Sequence, residues 1–250
     1  MNGATMASPA TSIGFPIEDQ WPSAEKSFSR VLTIDIGGSN VKIKSSGQTE
    51  PRKRRSGKKL TPVKMVKIVQ ELAEGWDYDA ISIGYPGLVG TQGPSSEPGN
   101  LGSGWVGFDF SSAFGLPVRI MNDAAMQALG SYEGGRMLFL GLGTGLGSAL
   151  ITEEFILTLE LGQIPYKRGE TLGEALGRRG LKRYGKAKWR RAVMEVTPAL
   201  MKAFLANCVA IGGGNAKHLN ELPAGVRLGH NLTAFRGGFR LWNTGTVPHA

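Results

Sequence analysis

Two aspartates stand at the ends of apolar runs: Asp35 in TIDIGG, beside glycines, and Asp123 in RIMNDAA, directly after Asn122. Loops at strand ends are where α/β proteins place their chemistry. At such positions Asp35 could hold a hydrated Mg2+, and Asp123 could take a proton from an attacking hydroxyl. Glycine clusters accompany them at 37–40 (GGSN), 141–148 (GLGTGLGS) and 212–215 (GGGN). Glycines let backbone N–H groups come close to phosphate oxygens, and Ser39 and Thr144 add hydroxyl donors. The layout suits phosphoryl transfer, in which catalysis is mainly positioning and charge neutralisation and a general base contributes about 10²- to 10⁴-fold. Each feature also has a plainer explanation. A glycine hairpin is often only a tight turn, Asp123 could be the N-cap of a helix beginning at Ala124, and Asp35 could form an ordinary ion pair with Lys42.

The glycines fit neither common nucleotide fingerprint. G-x-G-x-x-G started at Gly141 puts Leu146 at its last position, and started at Gly143 it puts Ser148 there. The P-loop pattern fails as well, because Gly57-Lys58 and Gly185-Lys186 are followed by Lys59 and Ala187.

The elements that must position these residues follow from periodicity. VLTIDI (31–36) and VKIKSS (41–46) read as strands of a hairpin turning through GGSN, and MLFLGLG (137–143) and SALIT (148–152) repeat the plan around TGLG. CVAIGGGNAK (208–217) is a strand running into glycines, with a helix expected to follow. AISIGYPG (80–87) and PVRIMND (117–123) are further strands, and helices are expected at 62–74, 123–131 and 186–205, the last interrupted at Pro198. The order predicts an α/β protein of two similar halves, each opening on a glycine hairpin, that meet across a cleft.

The chain has 250 residues, enough to bury roughly 70–75% of its unfolded surface. No apolar run approaches the roughly 18 residues of a membrane span. Residues 1–27 mix Pro, Ser, Gly and acids, have no basic residue before Lys26 and lack a signal-peptide core, so they read as a flexible leader on a cytoplasmic protein. The single Cys208 excludes an internal disulfide and a multi-thiolate zinc site, and is expected to be a small buried hydrophobe. His218, His230 and His249 show no ligand spacing and are expected on the surface or in loops.

The net charge of +9 is concentrated in two blocks free of acids, RKRRSGKK (52–59) and RRGLKRYGKAKWRR (178–191). These hold fourteen of the 29 basic residues, leaving 15 against 20 acids, so the remainder of the chain is mildly acidic. Such blocks are commonly solvated faces, but two in one chain suggest a polyanionic partner.

DIGGSNVK resembles the first phosphate motif, D-x-G-G-T-x-x-K, of the ROK family of sugar kinases, and GLGTGLGSAL resembles the second. NDAAMQALG is similar to the stretch that carries the family's catalytic aspartate, and VAIGGGNAK resembles its nucleotide-side glycine motif. The resemblance runs from about residue 31 to 220 in the right order. The length, the lack of zinc-cluster cysteines and the segments GYPGLVG and NLGSGWVGFD resemble the polyphosphate glucokinase branch.

The resemblance implies an α/β, actin-like (ribonuclease H-like) two-domain sugar kinase fold with a central cleft. Its parts would be a flexible leader (1–29), a small N-terminal phosphate and sugar domain (30–121) and a larger C-terminal domain (122–250), the extreme C-terminus being free to pack back on the first. The implied reaction moves a phosphoryl group from inorganic polyphosphate, ATP or both to the 6-hydroxyl of glucose, with Mg2+. The alternative is a strictly ATP-dependent kinase for glucose or another hexose. Asp123 would be the base, with Gly87, Asn100, Asn122, Glu160 and Gln163 holding the sugar and Trp105 lining its pocket. Asp35, Gly37, Gly38, Ser39 and Lys42 would meet the transferred group, and Asp35 the metal. Gly143, Thr144 and Gly145 would hold the phosphates behind it, and Gly213 and Gly214 would face an adenosine or more of a phosphate chain.

The sequence departs from the family at several points. Gln163 stands where a sugar-contacting histidine is usual, Ser39 replaces Thr, and the zinc-bearing segment is absent. The chain ends in RGGFRLWNTGTVPHA in place of the family's closing helix. The basic blocks would guide polyphosphate toward the hairpins. A nucleic-acid-binding protein is the competing class, since Tyr184 and Trp189 interleave with cations, but no helix-turn-helix segment precedes the first motif. Neither a membrane nor a nucleic-acid partner is expected, and a homodimer is compatible with the reading.

Overall fold

Residues 28–229 and 232–242 are described by a computed structural model. The buried, β-branched run of β1 (Val31–Ile36) turns through Gly37, Gly38 and Ser39 into β2 (Asn40–Ser45), and β3 (Arg52–Arg55) adds to the far edge of β2. Helix α1 (Pro62–Leu72) follows, its first turn closed by the Thr61 hydroxyl and by Pro62, which needs no N–H there. Strand β4 (Ala80–Tyr85) returns parallel to β1. After a small hairpin of β5 (Val89–Gly90) and β6 (Gly93–Pro94) and the short α2 (Phe110–Phe114), β7 (Val118–Asn122) pairs parallel with β4. Helix α3 (Asp123–Ser131) leaves directly from its end.

The second half repeats the design. β8 (Met137–Leu142), β9 (Leu146–Ile151) and β10 (Ile156–Leu159) form an antiparallel meander. α4 (Leu172–Leu176) and α5 (Arg178–Ala203) lead to β11 (Cys208–Gly212), parallel to β8, and then to β12 (Val226–Leu228). The last helix among the described residues is α6 (Thr233–Arg240). The sheet orders, β3-β2-β1-β4-β7 and β10-β9-β8-β11-β12, are the same order applied twice, as the two glycine hairpins predicted.

Helices α3 and α6 lie between the sheets, crossing through glycine. A Cβ on Gly130 would collide with Thr233 O, one on Gly237 with Met126 O, and one on Gly238 with the Thr33 side chain of β1. Backbone thus packs on backbone, which no larger residue would permit. The end of α6 is tied to the first sheet: Ser82 Oγ donates to Gly238 O at 2.6 Å and accepts from Trp242 Nε1 at 2.9 Å.

Several expectations are corrected here. The RGGFR segment, read as a departure from a closing helix, is itself helical, because its glycines are what allow the approach to α3 and β1. Helix α5 runs through Pro198: the proline is exposed, while Val193, Val196, Thr197 and Leu200 bury the opposite face and offset a proline cost of about 3 kcal/mol. Its break is at Gly185, which takes φ 73°. After β11 only a 3-10 turn, Ala216–His218, forms, since Gly213 is left-handed (φ 83°) and Asn215 is tied to the β8–β9 turn. Cys208 is half-buried on the flank of the core, being the first residue of its strand. His218 is half-buried at the end of that 3-10 turn. His230, His249 and the leader up to residue 27 lie outside the described residues. Among the described residues no helix is long and apolar enough to cross a membrane.

Candidate active site

Strand β7 ends and α3 begins at Asn122-Asp123, and the two side chains divide the work of that junction. Asn122 is the N-cap: its Oδ1 accepts from Ala124 N at 3.0 Å and Ala125 N at 3.2 Å, and its Nδ2 donates to Gly87 O at 3.0 Å. The capping role that could have explained Asp123 therefore belongs to its neighbour. The half-buried Asp123 carboxyl has its pKa pushed up to about 7. Burial is the main cause, the charge of Asp35 adds to it, and that of Glu160 adds further against the pull of the Ala124 and Asp123 N–H groups. Carboxylates from β1 and from the segment after β10 thus both act on the one that opens α3.

Asp35 is buried and pairs with Lys42 across the hairpin, Nζ to Oδ2 3.1 Å, the ion pair named above as its plainer explanation. Gly37 N donates to Asn40 O at 3.0 Å, closing a turn whose tip exposes Ser39. A Cβ on Gly38 would strike the amide of Asn100, so the loop carrying Asn100 lies against the first glycine turn. That loop is held by Glu97, whose carboxylate accepts from the N–H groups of Gly104, Trp105 and Val106 at 3.1–3.3 Å. Gly87 packs on the Tyr85 ring, 2.8 Å from where its Cβ would stand. Trp105 does not line a pocket. It is fully buried, packed on Tyr85 and Phe110 with its indole N–H on Gly102 O at 2.7 Å, because the first sheet needs its ring as core.

The second turn exposes Thr144 and Gly145. Gly143 O accepts from Arg178 N at 3.0 Å and from Asn215 Nδ2 at 2.9 Å, so the start of basic helix α5 and the third glycine cluster meet on this turn. Gly213 lies against the Leu142 backbone, where a side chain would not fit, and Gly214 is exposed beside it. A Cβ on Gly147 would approach Ala124 Cβ to 3.1 Å, which seats the hairpin beside the first turn of α3. Glu160 is exposed at the start of a 3-10 turn, Leu161–Gln163, and Gln163 is exposed at its end. Buried Ser148 brackets Glu160: its hydroxyl donates to Leu159 O at 2.8 Å and accepts from Leu161 N at 3.2 Å.

Neither a protein-family profile nor a curated protein sequence matches the chain. Solved structures do. The inorganic polyphosphate/ATP-glucomannokinase of Arthrobacter sp. strain KM superposes with a TM-score of 0.73 at 20% identity, over 86% of this chain and 98% of that one. The fold is that of the sugar kinases. The ROK hexokinase of Thermus thermophilus has a TM-score of 0.58 at 21% identity, with 83% and 96% of the two chains covered. A ROK family glucokinase from Streptomyces griseus, solved with glucose and AMPPNP, has 0.60 at 17%, with 86% and 98% covered.

Within the sugar-kinase fold, several of the sequence-predicted residues are tied to one another. Asp35, Asp123 and Glu160 are linked electrostatically, Gly38 and Asn100 by contact, and Gly87 and Asn122 by a hydrogen bond. Gly143 is tied to the third glycine cluster through Asn215. Glu97, Ser148 and Asn215 were not singled out in the sequence. A serine opening the apolar run SALI was a readable sign for Ser148 and the GGGN cluster one for Asn215; Glu97 had none.

The second basic block lies along α5, with Arg179 paired to Glu174 and Arg183 to Glu170. Its Lys186 and Arg190 come together with Lys217 around His218, whose pKa is lowered by burial and then by these cations. Among the described residues no group of three or more His, Cys, Asp or Glu could cage a metal. Asp35 alone, with Oδ2 on Lys42, fits a cation that arrives on phosphates, as Mg2+ commonly does with one or two carboxylates.

Proposed function

We propose that the protein transfers a phosphoryl group to the 6-hydroxyl of glucose or a related hexose. The observation that carries this reading is Asp123 with a pKa of about 7, raised in part by Asp35 and Glu160, beside two glycine turns with exposed hydroxyls. A general base works best when its pKa lies near the working pH. Asp123 accepts the hydroxyl proton as the oxygen attacks. Glu160 and Gln163 accept and donate hydrogen bonds to other sugar hydroxyls, with Asn100 and the Gly87 backbone on the opposite wall. Asn122 has one Nδ2–H left after its capping bonds, and it donates that to the sugar. The amides of Gly37 and Gly38 and the Ser39 hydroxyl bind the transferred group, and those of Gly143, Thr144 and Gly145 bind the phosphates behind it. Asp35 would hold Mg2+, which when bound neutralises phosphate charge. Lys42, already on Asp35, adds a cation at the same place.

The donor we favour is inorganic polyphosphate, with ATP as a second donor or, in the alternative reading, the sole one. Beyond the third glycine cluster lie Lys186, Lys217 and Arg190, none of them paired with a carboxylate among the described residues, and Gly213 and Gly214 lead to them. Cations crowded together without acids suit a further anion better than an uncharged base and ribose. The Arthrobacter enzyme is described as using both donors, and the Streptomyces enzyme was solved with an ATP analogue. The test is to supply purified protein with Mg2+, glucose and either donor and to measure glucose 6-phosphate. Formation is expected with both and at lower donor concentration with polyphosphate; silence with both across several hexoses removes the reading.

A further inference from the structure

Half of the basic segment 52–59 is the edge strand β3, and strand alternation divides its cations into two sets. Arg52 and Arg54 turn toward α1. Arg52 donates to Leu72 O and Glu74 O at 2.7 and 2.9 Å and stacks 4.3 Å from the centre of the Trp76 ring, while Arg54 pairs with Glu71. Successive side chains of a strand face opposite ways. Lys53 and Arg55 therefore project from the other face, the one that carries Asp35 and Lys42. The register makes the placement specific: Asp35 stands opposite Lys42, Lys42 opposite Lys53, and Arg55 opposite Asn40 at the end of the first glycine turn. Ser56 N donates to Ser39 O at 3.2 Å, fixing the end of β3 to that turn.

Among the described residues neither Lys53 nor Arg55 has an acidic partner, and both are exposed. Like charges directly opposed across antiparallel strands destabilise the pair, as Lys42 and Lys53 must. Charge on an edge strand discourages pairing with other chains. That accounts for charge on β3 but not for a like-charged row in line with Asp35, whose repulsion a bound anion would relieve.

We propose that Lys53 and Arg55, continuing the row from Lys42, bind a remote stretch of a long polyphosphate chain whose terminal phosphates are held between the two glycine turns. This rests on the phosphotransfer reading. ATP, with three phosphates, reaches this row less than a long chain does. Arg52 and Arg54 of the same run serve the fold instead.

The experiment compares Lys53→Ala/Arg55→Ala, the charge-retaining Lys53→Arg/Arg55→Lys, and Arg54→Gln as the control on the other face. Direct binding of long-chain polyphosphate is measured without sugar at several salt concentrations, followed by KM for polyphosphate and for ATP. Each phosphate neutralised contributes roughly 0.7–0.9 to the log-log salt slope of nucleic-acid binding, so loss of two cations should lower the slope by about 1.4–1.8. The alanine pair should weaken polyphosphate binding and raise its KM roughly tenfold or more, with a much smaller rise for ATP. The charge-retaining pair should restore both, and Arg54→Gln should behave as wild type. An unchanged salt slope and KM in the alanine pair overturns the proposal even if glucose is phosphorylated. Binding lost equally for an oligonucleotide of matched charge, with the KM for polyphosphate unchanged, overturns it in favour of nucleic acid. If no hexose is phosphorylated by either donor, the phosphotransfer reading falls, while the binding measurement still reports on the strip.

Discussion

Asp123→Asn should make the folded protein more stable while removing its activity. The Asp123 pKa is raised from 3.8 to about 7 by burial and by the charges of Asp35 and Glu160. A carboxyl whose folded pKa lies above its unfolded one binds its proton more tightly in the native state. Its ionisation therefore costs stability as pH rises through the window from about 4 to 7, and the full cost is present above it. At roughly 1.4 kcal/mol per pKa unit, a shift of about three units sets an upper bound of about 4 kcal/mol at pH 8. Asp123 is partly open to solvent, so about half of that is expected, and about 2 kcal/mol in a chain of this size raises Tm by roughly 4–8 °C. Thermal melting followed by circular dichroism at pH 5 and pH 8 checks this for wild type and variant. The gain should be largest at pH 8 and shrink toward pH 5. A variant less stable than wild type at pH 8, or a difference equal at both pH values, would refute the electrostatic account of this carboxyl.

Other outcomes follow from the same geometry. The kcat/KM for glucose should rise with pH to a plateau above an apparent pKa of about 7, because Asp123 must be ionised to accept a proton; a profile flat down to pH 5 would remove it as the base. Ser148→Ala leaves Leu159 O and Leu161 N without their buried partner, a loss of about 1–3 kcal/mol, and should raise KM for the sugar more than for the donor; equal effects on both would mean that Ser148 does not act through Glu160. Gly237→Ala forces a methyl into the α3 backbone and should cost about 1–3 kcal/mol, read as a lower Tm in the same melting experiment; an unchanged Tm would contradict the close helix crossing.

The doubled plan of the fold was legible because each half announces itself locally, as an apolar strand, a glycine turn and a returning alternating strand. Asp35 and Asp123 were legible for the same reason, each being a polar residue at the end of such a run. Strand β3 was not, because RKRR has no apolar residue to show a period of two; it pairs because β2 offers a free edge and α1 and the turn after it supply Glu71 and Trp76 for one of its faces. The closing helix was obscured by Gly237 and Gly238, which lower helix propensity and acquire their value only when α3 and β1 are in place. The plainer alternative for Asp123, an N-cap, belongs to Asn122, and the sequence could not separate the two because one residue of frame divides two residues that cap equally well. Glu97 and Ser148 act through backbone groups of loops and strands that the sequence alone does not bring together.

Single-turnover phosphorylation of glucose by wild type and by Asp123→Asn, with glucose binding measured alongside, tests the central claim most directly. The account predicts that wild type forms glucose 6-phosphate, whereas the variant binds glucose and slows the transfer by about 10²-fold or more. A variant that transfers within tenfold of wild type would contradict it.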